Sequence, residues 1–372
     1  MRVLLRDTTD PPHPGHADRP IDFHCRLPGY RETRLVEAPR LAGMLGVAKV
    51  FVKDETTRFG LPSFKVLGAA WATYATLREQ LGPIVDGPLS DESLRSWASP
   101  LRPLTLMAAT DGNHGRAVAR VARWLGLGAR IFIPNFVSPG RRRAIEAEGA
   151  ELVVVDGVYD AAVDAAIDAS HSPGTLLITD TARSPSEVIP QLVTGGYTTA
   201  FVEAEQQLSR AGDDRIDVVA VQAGVGGLAS AGTTWARVTR RGRSPRVIVV
   251  EPEGAACVMA ALAAGDPITV PANKISAMSV LQCGTISVTA FPSLQAGVSC
   301  CLAIEDSWAT TAVSELAASD VHTGPSGAAS VAGLLAALTG TFSGPMREYL
   351  GLSADARVLA VATESPSASE HA

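Results

Sequence analysis

The chain has 372 residues and a net charge of −6 at pH 7; 46% of its residues are hydrophobic and 19% are charged. Its length predicts roughly two domains, and the low charged fraction supports a large buried core. The acidic balance, with no long basic run, argues against nucleic acid as the main partner. We expect neither a secretory signal nor a membrane span, because the opening residues lack an apolar core and no apolar run is long enough.

The cysteines indicate the redox compartment. There are five of them, an odd number, and no two have the CxxC spacing of a zinc or redox site: Cys25, Cys257, Cys283, Cys300 and Cys301. We therefore expect a reduced, cytoplasmic protein without a metal site.

The first hundred residues predict few regular elements. Proline at a first helical position and serine at an N-cap mark two helix starts, at Pro39 and Ser63. The predicted order is an extended arm over 1–30, a helix over 39–45, a strand over 50–52, a helix ending near residue 81, and a connection over 82–103 with one short helix over 92–97.

From residue 104 onward, apolar runs of strand length alternate with segments of helical length and spacing. A first series has strands over 104–109, 130–133, 151–155 and 175–179, with helices over 113–125, 139–148 and 159–169. A second has strands over 216–222, 246–251, 300–304 and 357–362, with helices over 190–210, 228–239, 255–263, 307–318 and 326–338. Continuous apolar strands alternating with helices predict parallel sheets covered on both faces.

Two such series predict an α/β protein with two three-layer α/β/α domains, mostly parallel sheets and a site between them. We expect a larger domain over 1–84 plus 190–372 and a smaller one over 85–189. Ligands of such folds bind outside the carboxyl ends of the strands. The loops directly after strands are therefore the candidates for chemistry.

Lys65 is the first candidate residue. It falls in the first turn of a predicted helix between the apolar residues Phe64 and Val66. Desolvation in such surroundings disfavours the ammonium form, so the amine can attack an aldehyde and form a Schiff base. The alternative is a lysine whose charged end extends to water from a helix start. The other lysines have less suitable settings: Lys49 opens a strand, Lys53 precedes two acidic residues that would pair with it, and Lys274 lies in a loop.

The loop at 110–115, Thr-Asp-Gly-Asn-His-Gly, follows a predicted strand and opens a helix. Free N–H groups at a helix start suit a carboxylate or another anion. Asp111 adds a carboxylate that could move a proton there. The alternative for this loop alone is an ordinary N-cap and turn.

A second loop, 222–228, reads Gln-Ala-Gly-Val-Gly-Gly-Leu. Its glycines let backbone amides approach a phosphate at a helix N-terminus. It has no Walker GK[ST] and lacks the full spacing of a dinucleotide fingerprint. Alone, it is a weak indication of phosphate binding.

Two further strand ends carry polar residues. Asp180 follows one strand, and Thr363 and Ser365 follow the last, where a hydroxyl could bind a ring nitrogen. Each has an alternative as turn chemistry. A phosphate cradle, a Schiff-base lysine and no metal or nucleotide motif together predict pyridoxal 5′-phosphate. A hydroxyl at the ring nitrogen favours β-elimination or replacement over transamination.

Several motifs of the chain occur together in one enzyme family. They are the Lys-Asp-Glu run at 53–55, RFGLxxFKxLG at 58–68, TDGNHG at 110–115, Asp180-Thr181-Ala182, the 222–226 loop, Val250-Glu251-Pro252, Cys283-Gly284, Ser326-Gly327-Ala328 and Thr363-Glu364. On these motifs, over about residues 22 to 364, the chain resembles the fold-type-II, tryptophan-synthase-β-like pyridoxal phosphate enzymes, and most closely the diaminopropionate ammonia-lyase family.

This resemblance implies roles for individual residues. Lys65 would be the Schiff-base lysine, beside Phe64, and Asn113 would contact the 3′-oxygen of the cofactor. Thr363 would lie near the pyridine nitrogen, and the phosphate would be held by Gly224, Val225, Gly226, Gly227 and Leu228. Asp111 and Asp180 match acidic residues that move protons on both stereoisomers of the substrate. The remaining predicted substrate contacts are Thr110, Gly112 and His114.

The implied reaction is α,β-elimination of ammonia from 2,3-diaminopropionate, or a close β-substituted alanine, to give pyruvate in amino-acid metabolism. A homodimer is expected. The sequence departs from the family at 183–187, where Arg-Ser-Pro-Ser-Glu replaces an aromatic pair with glycine, and Ser365-Pro366 replaces the usual glycine. Elimination or replacement on another amino acid, as in serine/threonine dehydratases or cysteine synthases, is therefore the alternative. A non-catalytic scaffold is a third reading, which the presence of Lys65 disfavours.

Overall fold

The computed structural model describes residues 1–6, 19–157, 159–238, 244–272 and 274–366. Its strands are β1 (Arg2–Leu5), β2 (Leu35–Glu37), β3 (Lys49–Asp54), β4 (Thr105–Ala109), β5 (Gly128–Pro134), β6 (Glu151–Val155), β7 (Thr175–Leu177), β8 (Val218–Gln222), β9 (Arg246–Pro252), β10 (Val298–Ile304) and β11 (Arg357–Ala362). They form two sheets.

The helices in the same ranges separate most of these strands. They are α1 (Pro20–His24), α2 (Pro39–Leu45), α3 (Lys65–Leu81), α4 (Asp91–Ala98), α5 (Asn113–Leu125), α6 (Pro139–Glu146), α7 (Tyr159–Ser170), α8 (Val188–Arg210), α9 (Gly227–Arg237), α10 (Cys257–Ala264), α11 (Phe291–Gly297), α12 (Asp306–Ala317), α13 (Ala329–Thr339) and α14 (Ser343–Leu350).

The larger sheet has seven strands in the order β1-β10-β9-β8-β11-β3-β2. The five central strands run parallel, and the two edge strands, β1 and β2, run antiparallel to their neighbours. Every residue of β8 is buried, as a strand covered on both faces requires. The predicted α/β class with mostly parallel sheets is confirmed.

The smaller sheet has four parallel strands in the order β6-β5-β4-β7. All of its strands lie within 85–189, and all strands of the larger sheet lie outside that range. The domain boundaries themselves stay a prediction.

Helices α3 and α8 pack in close contact, which fixes the start of α3. A Cβ atom on Gly68 of α3 would lie 2.5 Å from the Tyr197 ring, and one on Gly196 of α8 would lie 2.5 Å from the Leu67 carbonyl oxygen. Neither position has room for a side chain, since such distances are far below van der Waals contact. The two glycines therefore set the distance between the helix that begins at Lys65 and the helix beside it.

The structure differs from the sequence predictions at the chain start. The predicted extended arm is wrong at α1, where Pro20–His24 forms a helix. The segment Arg2–Leu5 is extended, but it pairs with β10 as a strand of the sheet, and residues 7–18 lie outside the described residues. Ser63 is not the N-cap of α3. It pairs with Glu364 in an antiparallel bridge, and the helix starts two residues later, at Lys65.

The short edge strand β2 and the short helices α11 and α14 were not predicted, because none has a long periodic pattern. The structure shows α9 up to Arg237. Its predicted end, residue 239, lies outside the described residues. No single helix in the described ranges is long and apolar enough to cross a membrane; only α13 and α14 taken together pass that test, and they are bent by 109°.

Candidate active site

Lys65 is the first residue of α3, and its side chain faces the smaller sheet. Its Nζ atom lies 2.7 Å from Oδ2 of Asp180, in the segment that follows β7. The ring centroids of Phe64 and Tyr197 lie 5.5 and 5.7 Å from the same atom. The lysine is thus held by one carboxylate and two aromatic rings, with 26% of its side chain exposed.

The charge state of Lys65 differs from the sequence prediction. Burial acts to lower the pKa of Lys65, as its apolar neighbours predict, but the Asp180 carboxylate, Tyr197 and Cys283 together outweigh burial and the pKa is raised. Burial likewise acts to raise the pKa of Asp180, but the charge that His114 carries at low pH and the Lys65 ammonium lower it. Without a bound cofactor the pair is therefore an ammonium and a carboxylate, and the expectation of a disfavoured ammonium is wrong for this state.

Asp111 lies in the same site with the opposite shift. Burial raises its pKa, although the charges of Arg141 and Lys65 act against that shift. Arg141, in the first turn of α6, donates from Nη1 to the Asp111 carbonyl oxygen at 3.3 Å. Two carboxyl groups with opposite pKa shifts can take different roles in proton transfer.

The loop at 110–115 is closed by internal contacts. The Thr110 hydroxyl accepts the Gly112 N–H at 2.9 Å, and a Cβ atom on Gly115 would lie 2.3 Å from the Thr110 methyl group. Asn113 donates from Nδ2 to Glu364 at 2.6 Å, which joins this loop to the end of β11. These contacts hold Thr110, Asp111, Gly112, Asn113 and His114 in one loop at the start of α5, and their predicted roles stay a prediction.

His114 lies beside Asp180 without a hydrogen bond to it. Its Nε2 atom lies 2.7 Å from the Ile178 carbonyl oxygen, which can only accept, so Nε2 carries the hydrogen. Burial lowers the pKa of His114, so the ring is neutral near pH 7. Its Nδ1 atom is buried without a hydrogen-bond partner among the described residues, 3.8 Å from Oδ2 of Asp180. An unprotonated ring nitrogen therefore faces the carboxylate that holds Lys65.

The glycine loop at 224–228 begins α9. Gly226 precedes the helix with φ +94, a conformation that favours glycine. A Cβ atom on Gly224 would lie 3.1 Å from Cys283 Sγ, and burial raises the pKa of that thiol to about 12, so it stays neutral. The N–H groups of a helix start have no intrahelical partner. This turn can therefore hold a phosphate.

Thr363 follows β11 and is 5% exposed. Its hydroxyl oxygen accepts a hydrogen bond from Nε2 of Gln222, at the end of β8, at 2.9 Å. A hydroxyl at the carboxyl ends of two adjacent strands can contact the ring nitrogen of a heterocycle. Ser365, the other hydroxyl considered from the sequence, donates its backbone N–H to the Pro62 carbonyl oxygen instead.

Residues 53–58 are held by buried ion pairs with α8. Lys53 is 1% exposed and pairs with Glu203 of α8 at 2.8 Å, and not with the adjacent acidic residues as predicted. Arg58 bonds both Glu55 and Glu203, at 2.6 Å to the latter. This buried network fixes the loop that leads to Lys65.

The segment at 183–187 is a solvent-exposed turn before α8. Oε1 of Glu187 accepts the N–H groups of Arg183 and Ser184 at 2.8 and 2.7 Å, and Arg183 pairs with Asp164 at 2.7 Å on the surface. The turn is held by its own polar groups. It supplies no aromatic side chain toward Asp180.

Sequence reasoning did not single out several residues of the site. Tyr197 lies inside α8 and has no local signal, and Arg141 opens a helix without any motif. Tyr159 follows β6, and its pKa is raised well above the ordinary value by burial and then by Asp180 and Asp111. Its position shortly after a strand end is the signal that could have found it.

These features fit pyridoxal 5′-phosphate. The glycine turn presents the free N–H groups of a helix start to a phosphate, Lys65 supplies the amine for an aldehyde, and Thr363 supplies a hydroxyl for the ring nitrogen. No group of three or more His, Cys, Asp or Glu side chains suited to a metal is found in the part of the chain that the structure describes.

Comparison with known proteins agrees with this fit. A family model described as pyridoxal-phosphate dependent enzyme matches residues 26–363. Diaminopropionate ammonia-lyase of Salmonella typhimurium is 32% identical over 354 residues, which are 92% of this chain and 87% of that protein. The crystal structure of the Escherichia coli diaminopropionate ammonia-lyase in complex with D-serine has a TM-score of 0.87 at 30% identity, covering 100% of this chain and 95% of that one. An L-threonine dehydratase of Mycobacterium bovis is 30% identical over 82% of this chain and 64% of its own length.

Proposed function

The chain belongs to the pyridoxal-phosphate dependent enzymes, in their fold-type-II class and the diaminopropionate ammonia-lyase family, and on that premise we propose its reaction. It eliminates ammonia from 2,3-diaminopropionate, or a close β-substituted alanine, to give pyruvate. The observation that carries this proposal is the presence of Lys65 and Asp180 in direct contact, with Asp111 in the same site.

We assign the cofactor contacts as follows. Lys65 would bind the aldehyde beside Phe64, and Asn113 would donate to the 3′-oxygen with the amide hydrogen that Glu364 does not take. Thr363 would donate to the pyridine nitrogen. The phosphate is held by the backbone amides of the glycine turn, that is Gly224, Val225, Gly226, Gly227 and Leu228. When bound, pyridoxal 5′-phosphate withdraws electrons from the α-carbon of the amino acid, which makes its hydrogen acidic.

The side chains of the site then move protons and position the substrate. The carboxylates of Asp180 and Asp111 stand at two positions from which an α-hydrogen can be removed, one for each stereoisomer. Lys65 Nζ and Asp180 Oδ2 are within hydrogen-bond reach, so a proton can pass between them and on to the departing β-amine. Thr110, Gly112 and His114 place the substrate carboxylate at the N-terminal end of α5.

The chemistry balances without an oxidant or a metal. Loss of the α-proton and of the protonated β-amine gives ammonia and an enamine, and water converts the enamine to pyruvate and a second ammonia. Incubation of the holoenzyme with each diaminopropionate isomer and measurement of pyruvate tests the proposal. Formation of pyruvate by wild type and its loss in K65A are expected; no pyruvate from either isomer contradicts it.

A second candidate function follows from the exposed turn at 183–187, which lacks the aromatic pair of the family, and from the likeness to a threonine dehydratase. It is β-elimination or β-replacement on another amino acid. Serine, threonine, O-acetylserine and O-phosphoserine, each with and without an added thiol, test it. If diaminopropionate alone reacts, this candidate fails. A homodimer and a cytoplasmic location stay predictions.

A further inference from the structure

Gln222 is the last residue of β8 and is buried next to Thr363, with 2% of its surface exposed. Its Nε2 atom lies 2.9 Å from the Gly327 carbonyl oxygen, 3.3 Å from that of Ser326 and 2.9 Å from the Thr363 hydroxyl oxygen. One amide nitrogen therefore connects β8, the 326–327 turn and the end of β11. Nothing in the proposed reaction explains why a buried amide is placed there.

The orientation of this amide is fixed by its partners. The two carbonyl oxygens can only accept, so the –NH₂ group must face them. The reversed amide would place Oε1 against both carbonyl oxygens, which is repulsive. One N–H is therefore donated to the two carbonyl oxygens, and the other is donated to the Thr363 hydroxyl oxygen. The Oε1 atom is buried without a partner in the described ranges.

The direction of the Thr363 hydroxyl follows from this contact. Since the oxygen accepts from Gln222, its own hydrogen is directed elsewhere. No acceptor for that hydrogen is found in the part of the chain described here. The hydroxyl is thus oriented to donate a hydrogen bond to a ligand bound at the carboxyl ends of β8 and β11.

We propose that Gln222 is a positioning residue that fixes the Thr363 hydroxyl as a hydrogen-bond donor and so keeps the pyridine nitrogen of the cofactor unprotonated. The inference rests on the proposed function for the placement of that nitrogen at Thr363. A nitrogen that accepts a hydrogen bond holds no proton, and an unprotonated ring withdraws electrons from the α-carbon less strongly. Expulsion of the β-amine is then favoured over return of a proton to the α-carbon.

The test uses holoenzyme loaded with cofactor labelled with ¹⁵N in the ring, because the ¹⁵N chemical shift reports protonation directly. Wild type is expected to show the unprotonated resonance. In Q222M, which keeps the side-chain length and loses the donor, the Thr363 hydroxyl no longer accepts from Gln222 and its hydrogen is free to turn away from the cofactor. The resonance should then move toward the protonated position, and racemisation of substrate relative to pyruvate formation should rise several-fold.

The matched control is T363V, which keeps the shape and loses the hydroxyl. If Gln222 acts through Thr363, the double variant Q222M/T363V should match T363V in chemical shift. If Gln222 only supports the 326–327 turn, Q222M should change the cofactor resonance equally in both backgrounds, and the proposal is overturned.

Wild type alone keeps the proposal falsifiable if Q222M fails to fold. A protonated resonance in a wild-type enzyme that makes pyruvate overturns the role of Gln222 and leaves the proposed reaction intact. An unprotonated resonance in a wild-type enzyme that makes no pyruvate contradicts the reaction and agrees with a Thr363 hydroxyl fixed as a donor.

Discussion

The side-chain amide of Asn113 lies 2.6 Å from the Glu364 carboxylate, so the first turn of α5 is tied to the end of β11. This bond links the layer of the smaller sheet to the last strand of the larger one. It also leaves one amide hydrogen of Asn113 for a ligand. The contact thus orients a proposed cofactor-binding residue and joins two parts of the site.

We predict that E364A weakens binding of pyridoxal 5′-phosphate, because Asn113 loses the carboxylate that orients it. A hydrogen bond to a charged group contributes about 1.5–3 kcal/mol, so an increase in Kd of at least about tenfold is expected. Fluorescence titration of the cofactor-free protein measures it. E364Q is the matched control, since its amide oxygen still accepts; equal affinities of E364A and wild type would show that the bond is unimportant.

D180N should destabilise the cofactor-free protein across the neutral range. The folded pKa of Asp180 is lowered from 3.8, so its contribution is present above about pH 4 and is lost as pH falls through the folded pKa. The folded pKa of Lys65 is raised from 10.5, so its contribution is present below about pH 10 and is lost as pH rises through the folded pKa. Between pH 5 and 9 the loss should be constant, at about 1–3 kcal/mol.

Urea unfolding of D180N at several pH values within that window checks this prediction. D164N is its control, because Asp164 pairs with Arg183 where both side chains are more than half exposed, and such pairs contribute little. A D180N deficit that changes steeply between pH 5 and 9, or that D164N reproduces, would argue against the assigned pair.

Two adjacent glycines of α8 should respond differently to alanine. In G196A the new Cβ atom would lie 2.5 Å from the Leu67 carbonyl oxygen, so α3 and α8 must separate, with a cost of about 1–3 kcal/mol or more. In G195A the nearest atom, of Trp71, is 3.6 Å away, and replacing glycine inside a helix is favourable by up to about 1 kcal/mol. Thermal unfolding of the two variants should therefore move Tm in opposite directions. A lower Tm in G195A than in G196A would refute the close-contact account.

The regular part of the fold could be predicted from sequence because its strands are continuous apolar runs and its helices lie between them. The helix over 113–125 and the strand over 151–155 match the structure residue for residue. The edge strands β1 and β2 were not predicted, because a short and partly exposed strand has no continuous apolar run. Their pairing depends on partners far away in the chain.

The loops that carry the candidate site residues could be predicted from the sequence. The charge states and hydrogen-bond directions of those residues could not. Strand-end positions made Asp111, Asp180 and Thr363 candidates, and the structure brings Asp180 into contact with Lys65. The charge on Lys65 depends on a carboxylate 115 residues away, and the direction of the Thr363 hydroxyl depends on Gln222, 141 residues away. Local sequence shows apolar neighbours and glycines but cannot show which distant side chain meets them.

The proposed reaction predicts a product ratio that few competing activities share. Wild-type holoenzyme should convert 2,3-diaminopropionate to pyruvate and ammonia in a ratio of one to two, and K65A should be slower by at least about 10³-fold, as expected on loss of a group that acts in both covalent and proton-transfer steps. The measurement is the simultaneous initial rate of both products with each isomer. One pyruvate and two ammonia molecules per turnover, dependent on Lys65, is the predicted result. No pyruvate from either isomer, or an undiminished rate in K65A, would contradict the account.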